Sequence, residues 1–200
     1  MTDFELIIFD CDGVLVDSEI LSCTCLVDLL RRHAIETDLD SVLDRFLGRS
    51  VTAIAEHYRA LGQIIPAAFP AELYAEIKVA FARSLKAIPG IEEVLRGLAA
   101  PYCVASSSDR ERVAFSLGLT GLAPLFDGRL YSAQMVERGK PAPDLFLYAA
   151  RQMAADPART LVIEDSVSGV QAGKAAGMTV WGFVGGSHHA GRDGRALLAA

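Results

Sequence analysis

Four apolar runs stand out along the chain, with a weaker fifth. They are Leu6–Phe9 and residues 102–105, 161–163 and 179–184, with the weak one at 129–131. None alternates apolar with polar residues, which is the pattern of parallel strands buried on both faces. Between the later runs the apolar positions recur with helical spacing, over residues 91–99, 110–117, 144–153 and 168–176. Strands alternating with helices predict a doubly wound α/β fold around a parallel sheet. In such sheets ligands bind beyond the carboxyl ends of the strands. Acidic or hydroxylic residues follow three of the runs: Asp10, Ser106 and Glu164-Asp165.

Residues 18–87 break this alternation. Segments 18–34, 39–47, 51–61 and 70–86 read as helices with apolar faces, and no strand pattern lies among them. The prediction is an inserted α-helical cap at 18–87, with residues 1–17 and 88–200 forming the core. Pro89-Gly90 marks the return to the core.

Composition narrows the class. The chain has 200 residues, 52% hydrophobic and 22% charged, enough to bury a substantial core. A net charge of −6 with no Lys/Arg-rich stretch predicts no nucleic-acid partner. No apolar run is long enough for a membrane-spanning helix, and the first residues, with Asp3 and Glu5, do not read as a signal peptide. Cys11, Cys23, Cys25 and Cys103 match no zinc or redox spacing. Cys23 and Cys25 read as helix-packing thiols, and the expectation is a reduced, cytoplasmic protein.

The chemistry concentrates in FDCDGVLVDSE, residues 9–19. Asp10 and Asp12 stand two residues apart at a strand exit, where repulsion and desolvation call for a compensating cation. Asp10 can attack phosphorus and form an aspartyl-phosphate. Asp12 beside it can protonate a leaving alcohol and later deprotonate water. If the strand before Glu164-Asp165 neighbours the first, four carboxylates meet, a set suited to a hard divalent ion such as Mg²⁺. Ser106 and the adjacent loop N–H groups suit a phosphate oxygen. Lys140, in Gly139-Lys140-Pro141, can pair with the phosphoryl group and the nucleophile.

In this order, Asp10-x-Asp12-Gly-Val-Leu-Val-Asp17, Ser106, Lys140-Pro141 and Glu164-Asp165-Ser166 resemble the haloacid dehalogenase superfamily. Within it the chain looks most like the β-phosphoglucomutase-like phosphatases and the bacterial 6-phosphogluconate phosphatases. The resemblance spans nearly the whole chain, helical cap included. It implies that Asp10 is nucleophile and Mg²⁺ ligand. Asp12 is implied as general acid/base, with its main-chain carbonyl on the metal. Asp165 is implied as the third protein ligand, with Glu164 behind it or bound through water. Ser106, Ser107 and Lys140 are implied as phosphate binders, and Asp17 as a group fixing the turn. Gly48-Arg49 falls where relatives place a substrate-facing loop, which makes both candidate substrate contacts. Leu47 and Ser22 stand where the mutases have a Lys and a His, which favours hydrolysis over transfer. The implied partner is a small sugar, sugar-acid or polyol phosphate, handled by a monomer. Relatives usually continue through another strand and helix beyond the last strand here, so either a shortened core or a C-terminus different from theirs is expected.

Plainer readings stand beside these. Ser106 could be a helix N-cap. Lys140 alone could be a solvated surface lysine. Arg49 could lie on the surface or pair with an acid. His188-His189 reads as a polar loop and Trp181 as core. A sugar-phosphate mutase and a non-catalytic binding protein are the rival functions. Asp12 speaks against dehalogenation and phosphonate cleavage, and the 70-residue helical insertion against a receiver domain.

Overall fold

In a computed structural model that describes residues 4–199, the apolar runs pair as one parallel sheet. Its strands are β1 (Leu6–Phe9), β2 (Tyr102–Ser106), β3 (Leu130–Ser132), β4 (Thr160–Glu164) and β5 (Thr179–Gly182), in the order β3-β2-β1-β4-β5. In β1 every side chain is buried. Ile7 and Phe9 join the apolar cluster on one face, Leu6 and Ile8 the cluster on the other. That two-sided burial is why the run carries no polar alternation. β1 lies between β2 and β4, so the carboxyl ends of these three strands open at one edge.

Ten α-helices accompany the strands among the described residues. α1 (Glu19–Arg32), α2 (Leu39–Phe46), α3 (Val51–Ala60) and α4 (Phe69–Ser84) lie between β1 and β2 in sequence. They share their own apolar cluster, around Leu30, Val42, Phe69, Leu73 and Phe81. α5 (Ile91–Gly97), α6 (Arg110–Leu119), the short α7 (Ala123–Phe126), α8 (Asp144–Gln152), α9 (Val167–Ala175) and α10 (Gly194–Ala199) complete the chain. The two strands of chain joining the helical layer to the sheet run side by side. Asp17 N donates to Lys86 O at 2.9 Å and Ile88 N to Leu15 O at 2.9 Å.

Two expectations fail here. Trp181 is 59% exposed, because β5 is the sheet's edge among the described residues and has β4 alone as neighbour. Its ring meets that of Phe4 edge-on, at 6.4 Å. The residues after β5 do not form an open polar loop. A 3₁₀ turn, Ser187–His189, buries both histidines, and Leu198 of α10 packs over Gly182.

Candidate active site

β1 ends at Phe9, and Asp10 N still donates to Ile163 O at 3.0 Å, so Asp10 leaves the sheet from a fixed backbone. Its carboxylate accepts a bond from Lys140 Nζ at 2.8 Å. The same ammonium donates to Glu164 Oε1 at 2.6 Å and to Ala105 O at 3.0 Å. Three acceptors match its three protons. Burial alone would depress the Lys140 pKa, but the two carboxylates outweigh it and hold it above the ordinary lysine range. The solvated-lysine reading is therefore overturned: the Lys140 side chain is buried. Glu164 is fully buried, and its other oxygen accepts from Ser166 N (3.0 Å) and Ser166 Oγ (2.9 Å). Both of its oxygens are thus engaged.

Asp10 and Asp165 are less well compensated. Burial pushes Asp10 well above the usual carboxylate range; Lys140 pulls back, while Glu164, Asp165 and Asp12 add to the rise. Burial and then Glu164 raise Asp165 likewise. Asp165 Oδ2 is buried with no aligned hydrogen-bond donor. Gly13 permits this approach. At φ +74° it takes a conformation that disfavours other residues, and a Cβ there would sit 1.8 Å from Asp165 Oδ2.

Asp12 has the opposite balance. Burial opposes its charge, yet Arg112 and the hydroxyls of Ser18 and Ser108 prevail and lower its pKa. Arg112 Nη2 lies 3.1 Å from Oδ1, Ser18 Oγ donates at 2.6 Å and Ser108 Oγ at 2.7 Å. Arg112 also donates to Ser22 Oγ at 3.0 Å and stacks over Phe81, 5.3 Å from the ring centre. It therefore ties α6 to the helical layer.

Ser106 is buried at the end of β2, and its Oγ accepts from Ser108 N at 3.1 Å. It does not cap α6. Asp109 does, its Oδ1 accepting from Arg112 N at 2.8 Å. Ser106, Ser107, Gly48 and Arg49 line the cavity that also holds Asp10 and Lys140. Gly48 closes on the site from the loop between α2 and α3, and a Cβ on it would meet Ser166 at 2.7 Å. Arg49 is exposed and forms no ion pair among the described residues. Asp17 accepts bonds from Ser187 N (3.0 Å) and Oγ (2.8 Å), pinning the histidine turn to the first loop.

The sequence reading missed Arg112, Ser108, Ser18 and Glu19. Glu19 opens α1, is buried, and is raised well above the usual range by burial and then Asp12. Counting these, five buried acids (Asp10, Asp12, Glu19, Glu164, Asp165) face two cationic side chains (Lys140, Arg112). Fully ionised, the set carries −3. Asp10, Glu164 and Asp165 also present oxygen atoms within 4.8 Å of one another. An all-oxygen donor set with excess negative charge fits a hard divalent ion.

Asp10, Asp12, Lys140 and Ser106 converge on one cavity, which pairs carboxylates with a cation and a hydroxyl. Residues 4–177 match the family described as haloacid dehalogenase-like hydrolase. A 6-phosphogluconate phosphatase of Escherichia coli (strain K12) is 32% identical over 191 residues, covering 94% of this chain and 86% of the relative. A phosphorylated carbohydrates phosphatase of Thermotoga maritima is 31% identical, covering 98% of this chain and 91% of the relative. The crystal structure of a HAD family hydrolase from Deinococcus radiodurans R1, with bound phosphate and sodium, superposes with a TM-score of 0.75. It is 34% identical and covers 100% of this chain and 88% of its own. With its parallel sheet, its acids at the strand ends and this family match, the chain belongs to the haloacid dehalogenase-like hydrolases.

Proposed function

We propose that this protein is a Mg²⁺-dependent phosphatase of small phosphorylated metabolites, working through an aspartyl-phosphate at Asp10. The observation that carries the reading is the junction of Lys140 with Asp10 and Glu164 beside an independently held Asp12. Asp10 attacks phosphorus while Asp12 gives its proton to the leaving oxygen, and the bond from phosphorus to that oxygen breaks. Asp12, now ionised, takes a proton from water, whose oxygen attacks the phosphoryl group. The acyl-phosphate bond breaks and Asp10 returns as a carboxylate. Arg112 keeps Asp12 ionised in the free protein. A phosphate dianion placed beside it raises its proton affinity, which supplies the acid form for the first step.

Lys140 fixes the attacking carboxylate and neutralises a phosphoryl oxygen, while Ser106 and the Ser107 N–H offer further donors. Mg²⁺, held by Asp10, Asp165 and the Asp12 main-chain carbonyl with Glu164 behind them, supplies neutralisation of phosphoryl charge when bound. The helices of residues 18–87 act as a cap that excludes water, with Gly48 and Arg49 towards the leaving group. The names of the two relatives support a sugar, sugar-acid or polyol phosphate as substrate. Ser22, bound by Arg112, offers no base where a mutase needs one, which supports hydrolysis over transfer. Action as a cytoplasmic monomer belongs to the same reading, since every group lies in one chain; no helix among the described residues is long and apolar enough to cross a membrane.

The test is phosphate release from a panel of phosphorylated sugars, sugar acids and polyols, with and without Mg²⁺, for the protein and for Asp10→Asn. Mg²⁺-dependent release that Asp10→Asn abolishes is expected. Release unchanged in Asp10→Asn refutes the mechanism.

A further inference from the structure

His188 and His189 have no part in the chemistry above, yet the fold buries both, 3% and 7% exposed, against Asp165 at 2%. Their ring centres stand 4.1 Å apart. His188 Nε2 lies 3.0 Å from Asp165 Oδ2, but the two are not aligned as a hydrogen bond. Four buried polar atoms are left without a hydrogen-bond partner there: Asp165 Oδ2, both nitrogens of His188 and Nε2 of His189. Buried polar groups are ordinarily satisfied, so four orphans in one place need a cause.

The backbone is shaped around them. A Cβ on Gly186 would meet the His188 ring at 2.6 Å, and one on Gly13 at 2.9 Å. Asp17 fixes the turn through Ser187, and His189 leans on the main chain of Asp165. For His189 this puts one imidazole nitrogen on a main chain and leaves Nε2 open, the usual posture of a metal-binding histidine.

We propose that Asp165, His188 and His189 form a binding site for a borderline divalent transition ion, Zn²⁺ foremost, distinct from the all-oxygen Mg²⁺ site and sharing Asp165 with it. One ligand atom from each of the three residues lies within 4.8 Å of the other two. Two donors about 2.1 Å from one ion stand about 3.0–3.4 Å apart, the octahedral and tetrahedral limits, which is the separation that a poor hydrogen bond leaves unexplained here. Two imidazoles and a carboxylate select Zn²⁺ or its transition-metal neighbours over Mg²⁺. The ion reaches the site through the groove between the α2–α3 loop and the sheet, which Arg49, Lys140, Asp165 and both histidines line. The proposal does not depend on the phosphatase reading.

The test is titration of metal-stripped full-length protein with Zn²⁺ under a saturating excess of Mg²⁺, followed by calorimetry, with Co²⁺ as an optical reporter. One Zn²⁺ per chain is expected, with affinity retained in Asp10→Asn. His188→Asn and His189→Gln should each weaken it by at least about tenfold, no less than the loss typical of a partner lying behind a metal ligand. NMR of the unaltered protein provides a readout free of folding effects: Zn²⁺ should shift the ring signals of His188 and His189. The proposal is overturned by absence of Zn²⁺ binding under excess Mg²⁺, by binding that both histidine variants retain, or by binding that Asp10→Asn alone removes. It is overturned equally if ring signals stay still, or if the histidine variants change Mg²⁺ affinity and leave Zn²⁺ affinity intact.

Discussion

Two corners of the site, two residues apart in sequence, resolve the same electrostatic problem differently. At the Lys140 corner one ammonium is shared among Asp10, Glu164 and a carbonyl, with Asp165 close by, and burial wins: Asp10 and Asp165 sit above the usual carboxylate range. At the Arg112 corner one carboxylate collects a guanidinium and two hydroxyls, and burial loses: Asp12 is held below that range. Depth is the same; the ratio of acids to partners differs. A corner that is short of positive charge is where a divalent ion belongs, and one already balanced is where a proton can be exchanged.

The harshest way to break this comparison is Lys140→Met. It leaves Asp10 and Glu164 buried without their cation, a change that typically costs about 3–5 kcal/mol. Denaturant unfolding should show that loss, with Mg²⁺ recovering part of it, and phosphatase activity should vanish. Unchanged stability would mean that the ammonium does not hold the corner together.

Asp12→Asn comes next. It keeps the hydrogen-bonding shape and removes the proton carrier, so turnover of an alkyl phosphate should fall by about 10²–10⁴-fold, the usual worth of general acid–base help. A smaller loss for a substrate with a good leaving group sharpens the assignment.

The two corners also predict opposite pH dependence. Asp12, with its depressed pKa, contributes stability that is present above its unfolded value of about 4 and is lost as pH falls through its folded value. Arg112→Gln should therefore destabilise the protein most at neutral pH and least in acid. Asp10 and Asp165, with raised pKa values, contribute stability that is present below about pH 4 and is lost as pH rises through their folded values. Thermal unfolding should accordingly show Mg²⁺ stabilising the protein more at neutral than at acidic pH. Equal Mg²⁺ stabilisation across that range would remove the charge deficit from the account.

Arg49→Ala is the mildest change. The side chain is exposed and unpaired among the described residues, so a few-fold rise in KM with unaltered stability is expected. No change in KM for any substrate would detach the α2–α3 loop from specificity.

The contrast between the corners also explains what the sequence revealed. The sheet was legible because β1, β2 and β4 are buried on both faces, and continuous apolar runs follow directly from that. The Lys140 corner was legible because its members close strands that neighbour one another in the sheet, or sit in a proline-stiffened approach to a helix. The Arg112 corner was not. An arginine on a helix reads as solvated whether it faces water or a carboxylate, and only the fold brings α6 beside residue 12. The clue available was that a buried Asp12 had to find a cation. The histidine turn was hidden by distance, since His188 lies 23 positions after Asp165. Trp181 misled because a run's composition does not say whether a further strand covers it. Ser106 was a plausible cap, but the chain supplies Asp109 for that task.

The central claim is covalent chemistry at Asp10. The most direct measurement uses Asp12→Asn with p-nitrophenyl phosphate, whose leaving group needs no proton, so the first step proceeds while water attack is slowed. After acid quench, mass spectrometry should find one phosphoryl group on the peptide that holds Asp10, with a burst of nitrophenolate close to one per chain. Asp10→Asn should show neither. Nitrophenolate released over many turnovers with no phosphoryl group on that peptide at any time, or with Asp10→Asn equally active, would contradict the account.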